Sequence, residues 1–124
     1  MYQLFSSVRR LFNNLFRKKY DLTELYVSRP IDRTRKIPNQ IFQTWKSNFT
    51  DKNHYSVIEN LINKNPSWSF EFFNDSDMNL YMEKSWSSHP IYEVYKSLQI
   101  GAAKADIWRL CILFERGGGY LDID

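Results

Sequence analysis

The chain has 124 residues, 43% of them hydrophobic and 17% aromatic, enough for one packed domain and too apolar for global disorder. Its net charge of +3 is uneven: residues 1–20 hold Arg9, Arg10, Arg17, Lys18 and Lys19 with no acid, so the remaining residues together carry −2. A near-neutral body excludes a broad nucleic-acid surface, and Cys111, the single cysteine, excludes an intrachain disulfide or a thiolate metal cluster.

Leu4, Phe5, Val8, Leu11, Phe12, Leu15 and Phe16 recur at the spacing of one helix face, which predicts a basic amphipathic helix over residues 1–20. Arg9, Arg10, Arg17 and Lys18 lie mostly off that stripe, so residues 4–19 suit peripheral contact with an anionic membrane. Docking of the same stripe on the domain or on another subunit is the alternative. No stretch approaches the roughly eighteen apolar residues that cross a bilayer, and the start shows no secretory signal, so the expected location is cytoplasmic or peripheral to a membrane.

Residues 21–36 mix charges around Pro30 without an apolar period and read as a linker, which places the globular domain at 37–124. A strand is expected over 37–45, with Pro38 at its start, where a missing donor is harmless. A helix follows with Tyr55, Ile58, Leu61 and Ile62 on one face, then a strand over 68–73. Asn74 to Asp77 supplies helix-start residues before a short helix over 78–86. Pro90 opens another helix, with Ile91, Val94, Tyr95 and Leu98 inward. The strongest helical pattern runs from Ala102 to Glu115, and a third strand is expected over 120–123. This rhythm predicts an α/β sheet whose ligands sit at the carboxyl ends of the strands.

Asp122 and Asp124 are two apart on that last strand and therefore project to one side, as carboxylates holding Mn²⁺ or Mg²⁺ with a diphosphate do. Acidic pairs at strand ends are common, so the pair by itself is weak evidence. Gly117-Gly118-Gly119 serves as a helix cap and turn and allows close backbone approach. Asp106 and Arg109, three apart on one helix face among apolar neighbours, are either an intrahelical ion pair or a pair of sugar and phosphate contacts. Trp45 is either a core indole or a platform for a nucleobase. His54 and His89 stand in polar, loop-like contexts and receive no role.

Four segments in order carry a family resemblance: IPNQIFQTW (37–45), NPSWSFEFFND (65–75), AAKADIWRL (102–110) and GGGYLDID (117–124). They resemble the DXD-containing sugar-binding region of glycosyltransferases related to Golgi initiating α-mannosyltransferases and capsular polysaccharide transferases. The resemblance implies the N-terminal part of a GT-A fold, a Rossmann-like nucleotide-diphosphosugar transferase architecture. It also implies metal-dependent, retaining transfer of a hexose from a UDP- or GDP-sugar to a glycan or lipid-linked acceptor. Position by position, Asp122 and Asp124 match the metal and diphosphate pair. Asp106 and Arg109 match donor-sugar contacts with a catalytic role, and Trp45 matches the residue beside the nucleobase. Phe42 departs from the histidine that relatives often carry. Relatives also continue past the DXD, so the acceptor part is expected to be missing here. The alternative is accordingly a truncated, non-catalytic remnant that binds nucleotide sugars, a membrane or a partner.

Overall fold

The computed structural model describes residues 2–123, the side chains of residues 13–16 excepted. Its elements are α1 (Tyr2–Phe16), β1 (Tyr20–Asp21), a 3₁₀ turn (Leu22–Glu24), β2 (Gln40–Thr44), β3 (Phe49–Thr50) and α2 (Lys52–Lys64), then β4 (Ser69–Phe73), α3 (Asp75–Trp86), α4 (Ile91–Ser97), α5 (Gly101–Arg116) and β5 (Gly119–Tyr120). This is the α/β architecture with a parallel sheet that the resemblance implied, with a helix at its N-terminus.

The main sheet has the order β4-β2-β5, and β2 pairs in parallel with both neighbours, Ile41 opposite Phe70 and Gly119. A central parallel strand is covered on both faces, which is why Gln-Ile-Phe-Gln-Thr shows little polar alternation. Ile41 packs toward one cluster, built on Leu22, Ile58, Ile62, Phe70 and Ile123. Phe42 belongs to the other, with Phe73, Met82, Trp108 and Ile112. Helix α2 covers the first face, while α3, α4 and α5 cover the second.

Helix starts follow local side-chain chemistry. Asp51 caps α2 through the His54 N–H, and Asn74 opens α3 with a reciprocal capping box to Asp77. At its end α5 stops on Gly117 (φ 71°), whose N–H reaches the Leu113 carbonyl at 2.9 Å. Gly118 (φ 92°) passes so close to β2 that a Cβ there would lie 2.5 Å from the Gln40 oxygen. Glycine is thus required at that position for both reasons.

Three expectations change. Residues 21–36 are not a free linker: β1 pairs antiparallel with β3, Leu22 is fully buried, and the Arg29 guanidinium donates to the Ile62, Asn65 and Trp68 carbonyls. This segment packs through single well-placed residues instead of a periodic face, so no pattern announced it. The third strand is shorter than 120–123, because only Gly119 and Tyr120 pair in register with β2 before one more bond from the Leu121 N–H to the Phe42 carbonyl. Val94 faces solvent while Tyr95 is buried, since α4 is short and turns one narrow side inward. Asp124 lies outside the described residues. Among those described, no helix is long and apolar enough to cross a membrane.

Candidate functional site

Chain direction and sheet order locate the site. The chain leaves β2 through α2 over one face to reach β4, then returns through α3, α4 and α5 over the other face to β5 on the far side of β2. The carboxyl ends of β2 and β5 therefore meet at the topological switch point, where open α/β sheets take ligands.

Trp45 directly follows β2, and its N–H donates to the Phe73 carbonyl at 3.3 Å. The half-buried indole lies against the His54 imidazole, ring centroids 5.2 Å apart, with the Lys46 ammonium 6.0 Å from its centroid. His54 is held in turn by Asp51, which accepts from the His54 N–H at 2.9 Å and sits 2.8 Å from ring Nδ1. Those two bonds, the backbone one first, hold the Asp51 carboxyl below its ordinary value. His54, given no role from sequence, thus braces the predicted nucleobase residue from the first turn of α2. An Asp three residues before a His at a helix start was the available signal.

Beside it, the Tyr26 hydroxyl donates to Oε1 of the buried Gln43 at 2.9 Å, and its ring stacks on Phe72 at 5.1 Å. Burial, with a smaller contribution from Tyr120, pushes the Tyr26 phenol up. Tyr26 comes from the segment read as a linker, which hid it.

On the β5 side, Arg109 Nη2 donates to Asp106 Oδ1 at 2.8 Å, and the guanidinium lies 5.0 Å from the Tyr120 ring centroid. The ion-pair alternative is therefore present, but not as a buried pair. The Asp106 side chain is 65% exposed, because α5 turns Trp108, Cys111 and Ile112 inward and leaves Asp106 outside. An exposed pair of this kind contributes little to stability. It leaves the second Asp106 oxygen available and fixes Arg109 between helix and strand.

Asp122 is exposed beside the buried Ile123 and makes no hydrogen bond or ion pair among the described residues. Its oxygens suit a hard divalent cation or a donor hydroxyl. No group of three or more His, Cys, Asp or Glu among the described residues forms a metal set, so other ligands must complete any coordination. The fold thus joins Arg109 to Asp106 and Tyr120, and sets Trp45 and Asp122 at adjacent strand ends. No hydrogen bond or ion pair links Trp45 or Asp122 to the Asp106–Arg109 pair among the described residues.

Residues 38–124 match the family described as glycosyltransferase sugar-binding region containing DXD motif. The initiation-specific alpha-1,6-mannosyltransferase of Candida albicans is 31% identical over 119 residues, covering 86% of this chain and 31% of that protein. Its Saccharomyces cerevisiae namesake is 30% identical over 101 residues, 77% of this chain and 21% of the relative. Inositol phosphoceramide mannosyltransferase 3 of Schizosaccharomyces pombe is 29% identical over 89 residues, 71% of the chain and 24% of the relative. The chain therefore spans between about a fifth and a third of the length of these curated relatives. No solved structure matches it significantly.

Proposed function

The chain belongs to the glycosyltransferase sugar-binding family that contains the DXD motif, and from that premise we propose that it holds the donor for hexose transfer. The donor is a UDP- or GDP-sugar, bound where the carboxyl ends of β2 and β5 meet. The observation that supports this reading is the strand order β4-β2-β5, in which Trp45 and Asp122 follow two neighbouring parallel strands, with Arg109 packed on Tyr120 of the second. Trp45, braced by His54, stacks on the nucleobase. Arg109 donates to the diphosphate or the sugar, and the second oxygen of Asp106 accepts from sugar hydroxyls, setting the anomeric carbon toward the acceptor. Asp122 and Asp124 are the residues that would hold Mn²⁺ or Mg²⁺. The cation, when bound, supplies Lewis-acid neutralisation of the departing diphosphate. Transfer goes to a glycan or lipid-linked acceptor with retention.

A second reading, donor binding without turnover, is favoured by one observation: Asp106 already spends one oxygen on Arg109. Calorimetric titration with UDP- and GDP-sugars, with and without Mn²⁺, tests the common premise. Binding that needs Mn²⁺ and is lost in Asp122→Asn/Asp124→Asn supports a donor site; a folded sample that binds neither sugar refutes both readings. Release of free hexose from the bound donor, reduced in Asp106→Asn, then separates turnover from capture.

A further inference from the structure

Lys46 follows Trp45 at the carboxyl end of β2 and is exposed, with its ammonium 6.0 Å from the centroid of the Trp45 ring. That distance is at the outer limit of a cation–π contact, about 6 Å, so the indole holds the ammonium only loosely. Among the described residues no carboxylate pairs with it. The backbone on either side is fixed. The Trp45 N–H donates to the Phe73 carbonyl at 3.3 Å. Beyond Lys46, the Asn48 carbonyl accepts from the Leu22 N–H at 2.7 Å, and the Asn48 side chain accepts from Asn74 at 2.8 Å. Movement at this point is left to the flexible stem of the lysine.

A nucleotide sugar brings both a ring and a charge to this corner. A nucleobase that stacks on Trp45 competes with the ammonium for the indole, and the diphosphate needs cations. Open α/β folds often meet a diphosphate with the N-terminus of the helix after the first strand. Here that position is already filled: Asp51 caps α2, accepting from the His54 N–H at 2.9 Å, and its carboxylate places negative charge where the anion would lie. Arg109, the cation on the β5 side, is bound to Asp106 at 2.8 Å. A divalent cation held by Asp122 and Asp124 is offset by those carboxylates themselves. Lys46 is thus a cation beside the indole with no acid to neutralise it among the described residues.

We propose that Lys46 is a donor-binding residue with two positions. In the free protein it rests on the Trp45 indole; when the nucleobase takes the indole, the ammonium moves to the diphosphate and holds it by charge-assisted hydrogen bonds. Base recognition and diphosphate recognition are thereby coupled through one side chain. This rests on the donor-site reading above and adds a residue to it.

The test follows the indole N–H resonance of Trp45, assigned through Trp45→Phe, in the full chain with Mg²⁺ present. The probes are UDP and GDP against uridine and guanosine, a readout that registers weak as well as tight binding. Lys46→Met keeps the stem and removes the charge. It is expected to weaken binding of the nucleoside diphosphate about tenfold, and to leave the nucleoside unchanged or bound slightly tighter. Lys46→Arg should keep most of the diphosphate affinity, and added salt should weaken UDP or GDP binding more in the wild-type protein than in Lys46→Met. Without any nucleotide, Lys46→Met should already shift the Trp45 resonance and leave that of Trp68 in place. Circular dichroism confirms that each variant is folded. Equal diphosphate affinity in Lys46→Met and wild type, or equal losses for nucleoside and diphosphate, would overturn the diphosphate contact. An unmoved Trp45 resonance in the free variant would overturn the resting position. A folded wild-type protein that binds none of the four probes sinks the donor site itself, whereas wild-type binding that Lys46→Met leaves intact sinks only the role of Lys46.

Discussion

The two faces of the main sheet are covered in different ways. On the α3–α4–α5 face, large rings meet: Phe73 lies 5.0 Å from Trp108 and 6.2 Å from Tyr81 by ring centroids, with Phe42 beside them. That face is held by non-directional burial. On the other face α2 covers only part of the surface, and the irregular segment from Tyr20 to Pro30 does the rest. Directed bonds hold this segment: Arg29 to the Asn65 carbonyl at 2.8 Å and the Trp68 carbonyl at 3.0 Å, Tyr26 to Gln43, and Asn39 Nδ2 to the Pro30 and Ser67 carbonyls. The difference teaches where the molecule is sensitive. The helical face loses energy when volume is removed; the mixed face also loses it when one donor is removed.

Trp108→Ala is the strongest test of the helical face. Its indole is fully buried and its N–H has no acceptor among the described residues, so the cost is packing alone, about 4 kcal/mol in a denaturant melt. Leu22→Ala applies the same test to the mixed face and should cost about 3 kcal/mol, since Leu22 is equally buried. A cost near zero would return residues 21–36 to the status of a linker. Arg29→Met keeps the stem and removes the donors, leaving three carbonyls to water, and should cost about 2 kcal/mol. If Arg29→Met were neutral while Leu22→Ala was not, the mixed face would be a burial face like its counterpart.

The smallest effect is in acid. The Asp51 carboxyl is held below its ordinary value of 3.8 by the His54 N–H and ring, so folding favours its ionised form. That contribution is present above the ordinary carboxylate value and lost as pH falls through the depressed one. Thermal melts of the wild-type protein and of Asp51→Asn should therefore differ at neutral pH and converge in strong acid. A gap that persists at low pH would show that Asp51 acts through packing instead of its charge.

These contrasts also explain what could be read in advance. The helices of both faces announce themselves by apolar period, and two of them by boundary residues as well: Asn74 with Asp77 before α3 and Gly117 after α5. Trp45, Asp106, Arg109 and Asp122 were all legible as candidates through their placement in ordered motifs. Three features were not legible. His54 contacts Trp45 only because the turn after β2 folds α2 back over it. Tyr26 reaches Gln43 across 17 positions of chain. Asp106 was expected among buried neighbours, yet the rotation of α5 on the sheet turns it outward.

The amino-acid order by itself therefore determined the α/β class, the helices with a clear period, the glycine turn into β5, the family and the charge of α1. Each of these depends on neighbours within a few turns of chain, where spacing and residue type are sufficient physical information. Tertiary structure alone decided that residues 20–30 close one face of the sheet and that Trp45 and Asp122 follow the ends of two neighbouring parallel strands. Those relations join residues far apart in sequence, and their energies exist only once the strand order β4-β2-β5 has brought the strand ends together.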